Sequence, residues 1–168
     1  LGEVGRPHYH VNEETWVAAN EMLLEILSMA SLEKTSVQLH VEDNGERTCL
    51  ELSQLCRSAG LPLDRAIRHY APPNVNSEFT HGLSATVNVG KGSIETLTET
   101  VSRSSAPWGM ETDFLDDKNR PGAVLGPKTV PKRTHELASS LLSSGWTESK
   151  VESLLQNIHS DWPKSLYG

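Results

Sequence analysis

Five short apolar runs alternate with helical segments along the chain, and this alternation limits the folds that the chain can adopt. The runs predicted as strands cover residues 2–5, 36–41, 66–69, 83–89 and 108–112. The helices are predicted over residues 12–30, 45–59, 93–104, 131–143 and 147–159. Strands that alternate with helices form parallel sheets joined by right-handed crossovers. The pattern predicts an α/β fold, which is either an open doubly wound sheet or five strands of a β/α barrel.

The size and composition of the chain limit the class of protein to which it belongs. Its 168 residues are 36% hydrophobic, which predicts a single domain over residues 1–168. The 22 acidic and 15 basic residues give a formal charge of −7, which argues against a nonspecific nucleic-acid binder with a positive surface but allows a local basic rim. No segment approaches the roughly 20 apolar residues of a membrane span. We therefore predict a cytoplasmic protein that has no membrane partner.

The two cysteines, Cys49 and Cys56, lie on one predicted helix and are too far apart to form a disulfide. Their spacing on a helix separates the Cα atoms by roughly 10.5 Å, at 1.5 Å per residue. A disulfide requires a Cα separation below about 7 Å. We therefore expect two buried thiols in a reducing cytosol.

Four residues with metal-ligating side chains lie at or just past the ends of strand-like runs, namely Glu3, His40, His69 and Asp113. The carboxyl ends of the strands are where side chains meet a substrate in a β/α barrel. Carboxylate and imidazole groups also suit a hydrolytic divalent metal. The first two intervals between these residues are each close to one barrel unit of roughly 31 residues, and the third fits two short units. The spacing therefore predicts that the four side chains converge.

Three basic residues are predicted to bind substrate through a phosphate or a carboxylate group. Arg6 follows the first strand, Lys128 lies at the end of a long polar loop that follows Asp113, and Arg133 lies at the start of the helix predicted after that loop. Arginine recognises such groups in a bidentate way and lysine acts as a point charge. The alternative for Lys128 and Arg133 is ordinary surface charge.

The segments that carry these residues resemble, in order, four signature segments of the TatD-like metal-dependent hydrolases. They are Gly2-Glu3-Val4-Gly5, the His40 strand, the His69 strand and Glu111-Thr112-Asp113. Residues 68–73 and 121–131 are most similar to a divergent, largely archaeal branch of that family, and residues 157–168 resemble its closing segment. The resemblance implies a TIM barrel, of which this chain supplies parallel β/α units that form the C-terminal five strands.

The resemblance also implies a site and a reaction. Glu3 would bridge two divalent ions, His40 and His69 would ligate the second ion, and Asp113 would bind the first ion or accept a proton from the attacking water. The other imidazole nitrogen of each histidine would be held by an acceptor. The cofactors are then one or two ions of Zn, Mn, Mg or Ni. The substrates would be phosphoesters or other small hydrolysable molecules, with DNA among them.

One part of the family pattern has no counterpart in this sequence. The first strand of the family carries an Asp-x-His-x-His-type pair that binds one metal. His8-Tyr9-His10 has the His-x-His spacing but follows the Glu3 strand, so we do not assign that role to it. Because the chain starts with Leu1 inside a strand-like run, we expect it to lack the N-terminal part of the barrel. A complementary chain or an oligomer would then cover the open edges.

Two other functions are open at this point. The chain could be a non-catalytic partial-barrel subunit or scaffold, which needs a partner chain. It could also be an open α/β sheet that binds a small ligand at its strand ends.

Overall fold

A computed structural model describes residues 1–114, 119 and 125–168, which form a five-stranded sheet with helices between the strands. The strands are β1 (Val4–Gly5), β2 (Val37–His40), β3 (Ala66–Ala71), β4 (Ser84–Asn88) and β5 (Trp108–Glu111). Every pairing is parallel, and the order in the sheet is the order along the chain. A doubly wound sheet reverses its strand order at a switch point. The sequential order is instead consistent with part of a TIM barrel, which confirms the predicted fold class.

Seven α-helices follow within the described residues. They are α1 (Glu13–Leu32), α2 (Glu46–Ala59), α3 (Ser77–Thr80), α4 (Ser93–Thr100), α5 (Thr129–Ser143), α6 (Glu148–Gln156) and α7 (Trp162–Tyr167). Single 3₁₀ turns cover Leu63–Arg65 and Val101–Arg103, and a π-helical turn covers Asn157–Asp161. Asn12 caps α1, because its side chain accepts a hydrogen bond from the backbone N–H of Thr15.

Several predicted helix bounds shift by a few residues in the structure. The helix predicted over residues 93–104 ends as α4 at Thr100, and a 3₁₀ turn covers Val101–Arg103. The last helix does not end near His159. The chain continues through the π-helical turn into α7, whose Pro163 stands in the first turn, where a missing N–H breaks no helical hydrogen bond.

The two faces of the sheet differ in chemistry. Alternate strand residues point to opposite faces. One face is mostly apolar and packs on the helices: residues of β2 and β3 contact α1 and α2, and residues of β4 and β5 contact α4, α5 and α6. The other face carries polar side chains near the strand ends, namely Gln38, His40, His69, Asn88 and Glu111. The helices therefore stabilise the sheet from one side and leave the polar face for a site.

The pairing of β1 with β2 depends on Gly5. The register places Gly5 beside His40, and a Cβ atom at Gly5 would overlap the carbonyl oxygen of His40 and lie 2.6 Å from its carbonyl carbon. Backbone hydrogen bonds on both sides hold this approach, from Arg6 N to the His40 carbonyl (3.3 Å) and from Gln38 N to the Leu1 carbonyl (2.9 Å). Only glycine lets the two backbones come this close.

None of the described helices is long and apolar enough to cross a membrane. That residues 1–168 form one domain stays a prediction.

We predict that Gly5→Ala lowers the free energy of unfolding by about 1–3 kcal/mol, because the added methyl group forces β1 away from β2. Thermal unfolding followed by circular dichroism measures the change. Gly126→Ala is the control, since a Cβ there has no atom within 4 Å. Equal melting temperatures for the two variants would show that β1 does not pack as described.

We predict that both thiols are unreactive in the folded chain. Cys49 and Cys56 are 1% and 0% exposed, and burial raises the pKa of Cys56 to about 11. A chromogenic disulfide reagent at pH 8 should therefore label neither thiol until urea unfolds the chain. Ser58→Cys on the exposed side of α2 should react at once and serves as the control. Rapid labelling of the unmodified chain would contradict the packing of α2.

Candidate metal centre

Glu3 lies between two histidines at the polar face of the sheet. His40 is the last residue of β2, and His69 is the fourth residue of β3. Glu3 Oε2 lies 3.1 Å from His40 Nδ1, and Glu3 Oε1 lies 3.2 Å from His69 Nε2. One ligand atom from each of the three residues is within 4.8 Å of the other two. Three side chains that are distant in sequence thus present a carboxylate and two imidazoles to one point.

The position of Glu3 differs from the expectation. Glu3 directly precedes β1, whereas the sequence predicted that it lies at or past a strand end. Its side chain still reaches both histidines, because the backbone of Leu1 already pairs with that of Gln38 and holds the start of the chain along β2.

His40 provides a test of whether these residues fit a metal ion. Its Nδ1 atom is inaccessible to solvent and makes no well-aligned hydrogen bond with any described residue, although Glu3 Oε2 is only 3.1 Å away. A buried nitrogen without a hydrogen bond is costly. Coordination of a cation would remove this cost, and two imidazoles with one carboxylate suit a divalent metal. The residues therefore fit the ion that the resemblance implies.

Glu111, the last residue of β5, holds the other side of the His69 ring. Its Oε2 atom lies 2.8 Å from His69 Nδ1, and its Oε1 atom accepts a hydrogen bond from the backbone N–H of Tyr70. Gln38 Nε2 is also 3.3 Å from His69 Nδ1, but the carboxylate is nearer and is the stronger partner. With its proton on Nδ1, the neutral ring offers the Nε2 lone pair toward Glu3. A carboxylate behind a histidine ligand fixes the ring in this way in metal sites.

The same contact changes the acidity of His69. The hydrogen bond to Glu111 raises the pKa of His69 against the opposing effect of burial, and the charges of Glu111, Glu3 and Asp113 act in the same direction. The centre is therefore a region of negative potential that attracts cations.

Glu111 belongs to the Glu111-Thr112-Asp113 segment that resembles the family, but the sequence predicted no role for it. The alternation along β5 contained a usable signal, because it places an acid at the strand end on the same face as the histidines. The register agrees, since it pairs Glu111 with Asn88 at the ends of adjacent strands.

Asp113 joins the group from beyond the end of β5. Its Oδ1 atom lies 3.6 Å from His69 Nε2, and its φ angle of 48° is in the left-handed region. The side chain borders the same open cavity as the two histidines, and the cavity has a volume of about 500 Å³. All four residues predicted as ligands therefore lie together. Their roles remain predictions.

Asn88 is a further polar residue of this cavity that sequence reasoning missed. It ends β4, between the strands that carry His69 and Glu111. Its Oδ1 atom is inaccessible to solvent and has no hydrogen-bond partner among the described residues. A buried amide oxygen without a partner is uncommon in folded proteins, so Asn88 is a candidate residue of the site.

Arg6 does not face this cavity, in contrast to the predicted contact with substrate. Its guanidinium is buried and pairs with both oxygens of Glu42, at 2.8 and 2.5 Å, and with Glu51 at 2.9 Å. It also donates to Asn20 and stacks 4.6 Å from the ring centre of Trp16. Arg6 therefore ties the loop after β1 to α1 and α2, and its donors are used within the protein.

The other two predicted substrate residues lie at the start of α5. Lys128 is exposed at the N-cap of the helix. Arg133 donates from Nε to the carbonyl of Val89, just past the end of β4, and pairs with Glu136 at 2.5 Å. Most of the long polar loop that follows Asp113, residues 115–118 and 120–124, lies outside the described residues.

Fold and site together define an α/β protein with a candidate metal centre at the ends of parallel strands. The family model for TatD related DNase matches residues 1–161, and the chain belongs to this family of metal-dependent hydrolases. An uncharacterized protein of Methanocaldococcus jannaschii is 34% identical over 137 residues, which cover 82% of this chain and 47% of that protein. The chain thus spans about half the length of this curated relative. No solved structure gives a significant match.

We predict that Glu111→Gln lowers the affinity for Zn²⁺ by roughly 10–100-fold, because His69 loses the carboxylate that orients it. Calorimetric titration of the chain, after removal of metal by a chelator, measures the affinity. Glu152→Gln, an exposed change on α6, is the control. Unchanged affinity in Glu111→Gln would show that the contact with His69 does not support metal binding.

Proposed function

We propose that this chain carries the site of a divalent-metal-dependent hydrolase that cleaves phosphodiester bonds, with DNA among its substrates. The observation that carries the proposal is the convergence of Glu3, His40 and His69 within 4.8 Å beside an open cavity. Family membership supports the same chemistry, since the matching family model is described as TatD related DNase.

Each residue of the centre has a separate task in this proposal. Glu3, His40 and His69 hold the ion, and Glu111 keeps His69 in the required tautomer. A bound divalent ion supplies a Lewis acid and lowers the pKa of water toward neutrality. Asp113 accepts the proton of the attacking water, because its carboxylate borders both the ligand group and the cavity. Asn88 lines the cavity wall beside this group and helps to shape the substrate pocket.

The donor set favours some metals over others. Imidazole nitrogen suits Zn²⁺ and Ni²⁺, whereas Mg²⁺ prefers an all-oxygen environment. Two histidines beside one carboxylate therefore rank Zn²⁺ and Ni²⁺ above Mg²⁺ at this point, with Mn²⁺ between them. Whether the site takes one ion or two stays a prediction, as do the cytoplasmic location and the partner chain or oligomer that would complete the barrel.

We predict that hydrolysis of bis(4-nitrophenyl) phosphate requires added metal and falls roughly 10²–10⁴-fold in Asp113→Ala, because the proton acceptor is lost. The assay follows nitrophenolate release after chelation and reconstitution with Zn²⁺, Ni²⁺, Mn²⁺ or Mg²⁺. His40→Ala should lose both metal affinity and turnover, while Asp113→Ala should keep most of its metal affinity. His135→Ala, an exposed change on α5, is the matched control.

Two outcomes of this assay would reject the enzyme. Turnover that persists after chelation and also in Asp113→Ala would contradict the proposed metal-dependent mechanism. A chain that binds no metal and hydrolyses nothing would favour the non-catalytic subunit or scaffold instead.

A further inference from the structure

Five aromatic rings form a continuous row across the strand ends. The ring centres of Tyr9 and His8 are 5.4 Å apart, and those of His8 and His40 are 4.7 Å apart. The row continues from His40 to His69 at 5.6 Å and from His69 to Tyr70 at 6.0 Å. The candidate ligands His40 and His69 thus lie inside the row, and a tyrosine stands at each end.

Both terminal tyrosines are exposed. Tyr9 is 67% exposed, and Tyr70 is 48% exposed. Large aromatic side chains stabilise a protein mainly when they are buried. Because neither ring is fully buried, packing does not explain why a tyrosine occupies either position.

The backbone makes the identity of Tyr70 more informative. Its φ angle is 51°, in the left-handed region that glycine and asparagine adopt with least strain. A bulky residue is disfavoured at such a position, and residues in this state concentrate at binding sites. Tyr70 also borders the cavity of the metal centre, and its N–H donates to Glu111. Both burial and backbone conformation therefore argue against tyrosine here on grounds of stability.

We propose that Tyr9 and Tyr70 are substrate-positioning residues that stack on unpaired bases of a single-stranded nucleic acid on either side of the metal centre. The inference rests on the proposed phosphodiester hydrolysis, because that reaction requires the nucleic-acid backbone to lie over Glu3, His40 and His69. Base-on-ring stacking tolerates any sequence and requires bases that are free of a duplex. The rings thus select single strands over double strands.

The charge of the chain sharpens the inference. The formal charge is −7, and three carboxylates, those of Glu3, Glu111 and Asp113, lie around the histidines. A nucleic acid that is bound through many lysines and arginines loses affinity steeply as the salt concentration rises. A single-stranded nucleic acid that is bound by ring stacking beside a metal ion should show an affinity that depends only weakly on salt.

The experiment measures binding without turnover. The probe is a single-stranded phosphorothioate dodecamer, which resists cleavage, with 2-aminopurine at its centre; Mn²⁺ is present throughout. Stacking on tyrosine should quench the 2-aminopurine fluorescence. We expect Tyr9→Leu and Tyr70→Asn each to weaken binding roughly tenfold and to reduce the quenching. Tyr9→Phe and Tyr70→Phe, which keep the ring, should bind as the unmodified chain does.

Two further ligands and a melting experiment distinguish base stacking from a purely structural role of the rings. A duplex of the same sequence and an abasic strand of the same length should both bind weakly and should not distinguish the variants. Tyr70→Asn should melt no lower than the unmodified chain, because asparagine relieves the backbone strain. A lower melting temperature with equal loss of binding in Tyr70→Phe would indicate a structural role and overturn the proposal.

The failure of this inference is distinguishable from failure of the proposed function. Unchanged binding in Tyr9→Leu and Tyr70→Asn, while the unmodified chain hydrolyses bis(4-nitrophenyl) phosphate, would reject the stacking and leave the hydrolase. Quenching that depends on the rings, in a chain without hydrolysis, would keep the stacking and reject the hydrolase. Equal affinity for the abasic strand, or a steep loss of binding with salt, would also overturn the inference.

Discussion

The contact between the backbones of Gly5 and His40 is the constraint on which the candidate site depends. Glu3 has little strand of its own, since β1 contains only Val4 and Gly5. Its carboxylate reaches two histidines because Gly5 allows the first segment to lie against the end of β2. Any side chain at that position would separate the two backbones and move the carboxylate away from both imidazoles. Gly5 thus fixes the position of the Glu3 carboxylate.

The difference between the two faces of the sheet explains how the fold tolerates the polar side chains of the candidate site. The apolar face buries residues such as Leu39, Val87 and Trp108 against helices, and this burial is the dominant favourable term in folding. The polar face leaves atoms such as His40 Nδ1 and Asn88 Oδ1 without a hydrogen bond to any described residue. Unsatisfied groups of this kind reduce stability. The packing on the helix side offsets that cost.

The sequence predicted the strands, the parallel sheet and the four residues that meet, because each of these depends on local pattern and chain order. It could not predict how side chains pair across distant segments. Arg6 looked available for substrate, but its partners Glu42 and Glu51 lie 36 and 45 positions away. They become its neighbours only when β1 pairs with β2 and α2 packs on the sheet. Glu111 had no predicted role for the same reason, since its partner His69 is 42 positions away. The strand end that contains Glu111 was predictable, but its particular contact was not.

The electrostatics of the centre connect metal binding to stability. Glu3, Glu111 and Asp113 surround His69, and their mutual repulsion is opposed only in part when the imidazole is neutral. A cation that binds the folded chain but not the unfolded chain adds stability in proportion to the logarithm of its concentration over its dissociation constant. The same ion would give His40 Nδ1 its missing partner. A bound cation would therefore balance the charges of the centre, whereas without a cation the repulsion among the three carboxylates lowers the stability of the folded chain.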